Sequence, residues 1–169
     1  ATVRATREAT TAELAAGMVP HLRAMLAHGT TSVEVKSGYG LSTADELKSL
    51  EAIRLVATGQ VPGAPAESLP RLCPTFLGAH AVPTEYRDCP DAYVDLLVDE
   101  TLPAVVAAAL AESCDVFCDA GAFDAAQARR ILEAAQALGL PVRLHANEFA
   151  GIAAAALAAD LHALSADHL

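Results

Sequence analysis

Tryptophan is absent from these 169 residues, and the aromatic complement is three tyrosines and four phenylalanines. A core must therefore be assembled from small aliphatic side chains, above all alanine, within a composition that is 53% hydrophobic. Such material suits helices packed closely on a sheet. Positive charge is also scarce: 11 Lys and Arg stand against 21 Asp and Glu, for a net charge of −10. With no basic run anywhere, a nucleic-acid partner or an anionic membrane surface is excluded as an expectation, because a phosphate surface demands clustered Lys and Arg. No apolar run reaches the length of a membrane span, and no signal-peptide pattern opens the chain. Cys73, Cys89, Cys114 and Cys118 include no C-x-x-C pair, which favours reduced thiols of a cytoplasmic protein over a disulfide framework or a structural zinc site. Dinucleotide, Walker and nucleophile-elbow glycine motifs are missing too.

What is present is an alternation of helix-like and strand-like segments. Ala12–His28 has a helical pattern, capped at Thr10 or Thr11 and stopped by Gly29, with Pro20 predicting a kink or a late start. A strand from Ser32 follows. In the next helix Thr43 and Glu46 read as a capping box, with an apolar stripe at Leu47, Leu50, Ile53 and Ala57. After a Pro- and Gly-rich loop come a strand ending at His80 and a helix over Asp91–Glu112, interrupted by Pro103. A strand in CDVFCDAGAF precedes a helix capped by Asp124 and ended by Gly139; PVRLHANEF is a fourth strand, Ile152–His162 a helix, and ALSADHL a fifth strand.

Strands separated by helices imply right-handed crossovers and a parallel sheet, hence an α/β fold. Successive strand ends lie roughly 40, 40, 25 and 23 residues apart, compatible with (β/α) barrel units. Five units do not close an eight-stranded barrel. The alternatives are an open doubly wound domain or part of a barrel, and the start at Ala1 without Met favours a piece of a longer protein. In SVEVKSGYGLS the polar Ser32, Glu34 and Lys36 alternate with Val33 and Val35. In an open sheet both faces are covered by helices and should be apolar. In a barrel the valines can face the helices while Glu34 and Lys36 point inward as partners in a polar network, with Gly38 and Gly40 letting the chain present Tyr39 over a pocket.

Titratable groups collect at one end of the strands: Tyr39, His80, Asp119, His145 with Glu148, and Asp167 with His168. The carboxyl edge of a parallel sheet is where ligands bind. Singly, each has a structural reading; His145 and His80 can serve as hydrogen-bonded core histidines, and His21, His28 and His162 are assigned to helix structure. Together they point to an active site. A ring nitrogen at a strand end can hold a metal that polarises a carbonyl and acidifies water, with a nearby Glu or His handling the proton.

The motifs VEVKSGYGLS, TFLGAHAVP, DVFCDAGAF, HANEF and LSADHL, in this order, resemble those of the imidazolonepropionase family in the amidohydrolase superfamily, along nearly the whole chain from ATREAT onward. The resemblance implies a (β/α)8 TIM-type barrel, of which residues 1–169 would be a partial metal-dependent domain comprising roughly strands two to six with their helices. It implies hydrolysis, by a metal-activated water, of the ring amide of 4-imidazolone-5-propanoate to N-formimidoyl-L-glutamate in histidine degradation. One zinc or iron ion per subunit and a homodimer are implied for the complete enzyme. Residue by residue, His145 corresponds to the metal ligand, Glu148 to the group that contacts the ring and positions or activates water, and His168 to the proton shuttle. Tyr39 and His80 correspond to substrate contacts, Tyr39 near the propanoate and His80 near the ring carbonyl. Asn147 replaces the family's usual aspartate, and Asp119 stands where glutamate is frequent. The family's H-x-H pair, its substrate-binding arginine and its last metal-binding aspartate have no counterpart here, so this segment carries part of a site and, alone, is expected to be inactive. Two rivals remain: another amidohydrolase acting on a cyclic amide or nitrogen heterocycle, which contacts to the substrate's acidic tail would separate, and a metal-free α/β binding module, which would contain no metal.

Overall fold

The computed structural model describes residues 1–150 and 153–169. Five strands, β1 (Ser32–Lys36), β2 (Arg71–Ala79), β3 (Ser113–Cys118), β4 (Val142–Ala146) and β5 (Ala166–Asp167), form one sheet in the order β1-β2-β3-β4-β5. Every pairing is parallel, with Val33 opposite Leu72, Cys114 opposite Val142 and Leu144 opposite Ala166. A doubly wound sheet reverses its strand order at a switch point. Here the order never reverses, and the sheet curls into a half-barrel. That removes the open doubly wound alternative.

The helices are α1 (Thr2–Glu8), α2 (Thr11–Ala27), α3 (Thr43–Ala57), α4 (Pro90–Leu96), α5 (Leu102–Ala107), α6 (Ala125–Ala137) and α7 (Ala154–Asp160). Their apolar stripes meet the outward-facing strand residues. Leu72 and Phe76 of β2, Cys114, Val116 and Cys118 of β3, and Val142, Leu144 and Ala146 of β4 share one buried core with Leu50, Ile53, Leu102, Ile131 and Leu132. Each large aliphatic side chain so buried contributes about 1.5–3 kcal/mol. Val33 and Val35 pack on the same core, as the barrel reading of the first strand requires.

Several elements depart from their predicted form. Helix α2 runs through Pro20 as one element, and it starts with a capping box in which Thr10 accepts from the Glu13 amide and Glu13 accepts from the Thr10 amide. Helix α1 was not anticipated. The predicted Thr43–Glu46 box does not form: Ser42 is the cap, accepting from the Asp45 amide at 3.2 Å, while Thr43 bonds Glu100. The predicted Asp91–Glu112 helix divides into α4, a π-helical turn over Leu97–Thr101, and α5 ending at Ala107. The wider turn lies directly ahead of Pro103, whose missing N–H cannot sustain the regular ladder. The third strand stops at Cys118, and Phe123 returns beside it as a single bridge. The fourth and fifth strands are shorter than predicted, and Ile152, the expected start of the last helix, lies outside the described residues. The four cysteines are free.

Candidate active site

The inner face of the sheet is polar in two layers. In the lower one Thr75 donates to Glu34 at 2.6 Å and lies 2.8 Å from Ser113, and Arg143 bridges Ser113 and Glu34 at 3.2 and 3.1 Å while reaching Ser165 at 2.9 Å. Above it the Lys36 ammonium lies 2.6 Å from Asp115, 3.1 Å from Asp167 and 3.3 Å from Glu34. Burial is the largest single influence on Lys36 and would lower its pKa, but the three carboxylates outweigh it and the net shift is upward. Asp115, fully buried, behaves in the mirror sense: burial would raise its pKa, while His145 and Lys36 together hold it below the usual carboxylate value. Glu34 and Lys36 are thus inward partners, as their alternation with valine implied.

His145 joins this layer. Its Nδ1 lies 2.8 Å from Asp115 Oδ2, and its Nε2 is 3.9 Å from Asp167. The contact with Asp115 raises the His145 pKa, against burial. His145, Asp115 and Asp167 have ligand atoms within 4.8 Å of one another, a set able to contact a metal. Because the Lys36 ammonium already occupies both carboxylates, the two acids are better suited to orienting the histidine than to ligating. A carboxylate behind one imidazole nitrogen, with the other left free, is the usual support of a metal-bound histidine. Asp115 Oδ1 beside His145 is buried without a hydrogen-bond partner among the described residues, so the polar groups at this spot are not fully satisfied by each other. The residues present therefore fit a metal held by His145.

The predicted site residues lie in an arc over this layer. Tyr39 meets the His80 ring edge-on at 4.7 Å between centroids, His80 lies 6.1 Å from Phe117, Phe117 lies 6.0 Å from His145, and His145 lies 5.3 Å from His168. Glu148 Oε2 is 3.8 Å from His168 Nε2. All five predicted residues, from the ends of β1, β2, β4 and β5, are thus brought to one side. His80 Nδ1 lies 3.0 Å from the Gly38 carbonyl and donates to it, which fixes the ring's orientation.

Two loops of the arc are tied to buried carboxylates. Asp119 accepts from the amides of Phe149 at 2.7 Å, Ala120 at 2.6 Å and Ala150 at 3.0 Å, and these backbone bonds, Phe149 first, hold its pKa down. The β3 end therefore fixes the loop that carries Glu148. Glu46, with no solvent exposure, accepts from Gly38 at 2.9 Å, Gly40 at 2.8 Å and Leu41 at 2.9 Å. Arg7 donates to the carbonyls of Gly40 at 2.7 Å and Leu41 at 3.1 Å. Glycine is required on both sides of Tyr39: Gly38 sits at φ +119 with the Leu77 carbonyl 2.8 Å from any Cβ, and a Cβ on Gly40 would stand 2.5 Å from the Asp45 backbone. Asn147 and His168 adopt φ of +59 and +67. Asn, Asp and His are the side chains most enriched there after glycine, which suits both residues to their positions.

Asp115, Arg143 and Arg7 were not singled out from the sequence. Asp115 and Arg143 carry the same signal as Glu34 and Lys36, charge alternating with buried apolar residues along a strand. Glu46 was visible but assigned to the wrong partner.

No protein-family model matches the chain. Among curated proteins it is 52% identical to the imidazolonepropionase of Caulobacter vibrioides over 168 residues, covering 99% of this chain and 40% of that protein. It is 54% identical over 169 residues to the imidazolonepropionase of Symbiobacterium thermophilum and 51% over 168 residues to that of Alkaliphilus metalliredigens, covering 38% of each. The chain thus spans about two fifths of the length of the curated relatives it matches. At half identity over practically every residue, it corresponds to a segment of the imidazolonepropionases.

Proposed function

We propose that the protein of which this chain forms a segment hydrolyses the ring amide of 4-imidazolone-5-propanoate, giving N-formimidoyl-L-glutamate, and that the half-barrel is strands two to six of a (β/α)8 barrel. The observation that carries the reading is the meeting of Glu148 and His168, 3.8 Å apart, beside His145 at the rim of a polar sheet face. A binding module has no need of an acid–base pair next to a carboxylate-backed histidine.

In this reading Tyr39 and His80 hold the substrate, Tyr39 toward the propanoate and His80 toward the ring carbonyl. His145, oriented by Asp115, is the residue of this chain that would hold a zinc or iron ion. When bound, such an ion supplies a polarised carbonyl and a water acidic enough to attack near neutral pH. Glu148 contacts the ring and positions the attacking water. The water oxygen adds to the ring carbonyl carbon, the ring C–N bond breaks, and the proton lost by the water is delivered to the departing nitrogen. His168 carries that proton, with Glu148 as its neighbour in the relay.

The complete enzyme provides the test. His168→Ala should lower kcat for 4-imidazolone-5-propanoate by about 100-fold or more, with unchanged circular dichroism and metal content. Turnover near that of the parent enzyme would remove His168 from the proton path.

A further inference from the structure

We infer that Glu46, a residue of α3, is a positioning residue for substrate: through the backbone of residues 38–41 its carboxylate fixes where Tyr39 stands. The inference rests on the reading of Tyr39 as a substrate contact. Three observations carry it. First, Glu46 is fully buried, and its two oxygens face amide donors of the loop: Gly38 on Oε2, and Gly40 and Leu41 on Oε1. Successive amides converging on one anion form an anion nest, here filled by the protein's own carboxylate. A carboxylate suits this place because it is acceptor-only; a glutamine would turn a donor toward one of the loop's N–H groups.

Second, the loop is held from its opposite, carbonyl side by a cation. Arg7 reaches the carbonyls of Gly40 and Leu41, and is itself held by Glu85 at 2.8 Å, while Lys48 donates to the Arg7 carbonyl at 2.9 Å. Third, Tyr39 has little else to place it. The residue is 47% exposed and its ring meets edge-on that of His80, which is in turn tied to the Gly38 carbonyl of the same loop. The position of the tyrosine is therefore inherited from the backbone between two glycines, and that backbone is set by Glu46 and Arg7.

The complete enzyme, assayed with 4-imidazolone-5-propanoate, separates positioning from plain stability. Glu46→Gln should raise KM about tenfold while kcat stays within about threefold, the pattern of lost substrate binding without lost chemistry. Amide exchange should quicken in residues 37–42 and not across the core strands. In a Tyr39→Ala background the same substitution should add nothing to KM. Arg7→Met, at a partly exposed side chain, gives a milder disturbance of the same loop, and decides the matter should Glu46→Gln fail to fold; it too should raise KM only while Tyr39 is present. Unchanged exchange in residues 37–42, or a KM penalty that persists without Tyr39, overturns the inference. Failure of the underlying reading looks different: Tyr39→Ala alone would then leave KM unchanged.

Discussion

Asp119 illustrates how much one buried side chain can decide. Its carboxylate gathers the amides of Ala120, Phe149 and Ala150, so the end of β3 dictates the path of the loop bearing Glu148. A shift of about 1 Å in a reacting group can cost up to about 100-fold in rate. Asp119→Ala in the complete enzyme should accordingly lower kcat by about tenfold or more, and should speed exchange of the Phe149 and Ala150 amides. If kcat falls while those amides stay protected, Asp119 acts by some route other than the loop. The three short bonds to Asp119 show that the local backbone closes around its carboxylate.

At the scale of elements, α3 shows both what was legible and what was not. Its existence and apolar stripe followed from periodicity, and Leu50 and Ile53 are indeed core residues. Its start was misread because Glu46 has the spacing of a capping partner yet turns inward to the Gly38–Leu41 amides, leaving Ser42 and Asp45 at the helix end. No local pattern distinguishes a carboxylate that caps its own helix from one that caps a distant loop. The π-helical turn before Pro103 is another long-range product, since the proline marks a break without saying how the chain absorbs it. Conversely, period-2 alternation identified Glu34 and Lys36 as inward-facing and applies equally to Asp115 and Arg143.

The helix start also yields a pH dependence. Burial would raise the Asp45 pKa, but hydrogen bonds from Lys48 and Ser42, with the charge of Arg7, bring it below its ordinary value of 3.8. A folded-state pKa lowered in this way stabilises the protein above the unfolded value and ceases to do so as pH falls through the folded one. Asp45→Asn should therefore cost about 0.5–1 kcal/mol at pH 7, and denaturation midpoints of parent and variant should converge as pH drops below about 4. A gap that persists at low pH would mean that shape or packing, rather than the carboxylate's charge, sets the difference.

At the scale of the whole molecule, the organising feature is a sheet with one apolar and one charged face. The helices cover the first. The second holds Glu34, Lys36, Asp115, Arg143, His145 and Asp167 in contact, and the ring of candidate site residues stands on it. Lys36 is the hub, with 20% of its side chain exposed against none of Asp115. Removing one partner of a buried ion pair costs about 3–5 kcal/mol, and the partial exposure of Lys36 reduces the expected figure to about 2–3 kcal/mol. Lys36→Met keeps the stem's volume and removes the ammonium, leaving Asp115 and Asp167 to face each other beside His145. The signs fix where the effect should appear. The lowered Asp115 pKa gives stability that is present above the unfolded carboxylate range and is lost as pH falls through the folded value; the raised Lys36 pKa gives stability that is present below about 10.5 and is lost as pH rises through the folded value. The parent chain should thus exceed Lys36→Met in stability across the whole neutral range. In the variant, Asp115 keeps His145 but loses the Lys36 ammonium, one of the two groups that hold its pKa down, so acid should protonate it more readily and close most of the gap below pH about 4. Chemical denaturation of both chains between acid and neutral pH reads this directly. A variant as stable as its parent at pH 7 would show that the ammonium is solvated rather than structural, and the polar face would then need another source of its order.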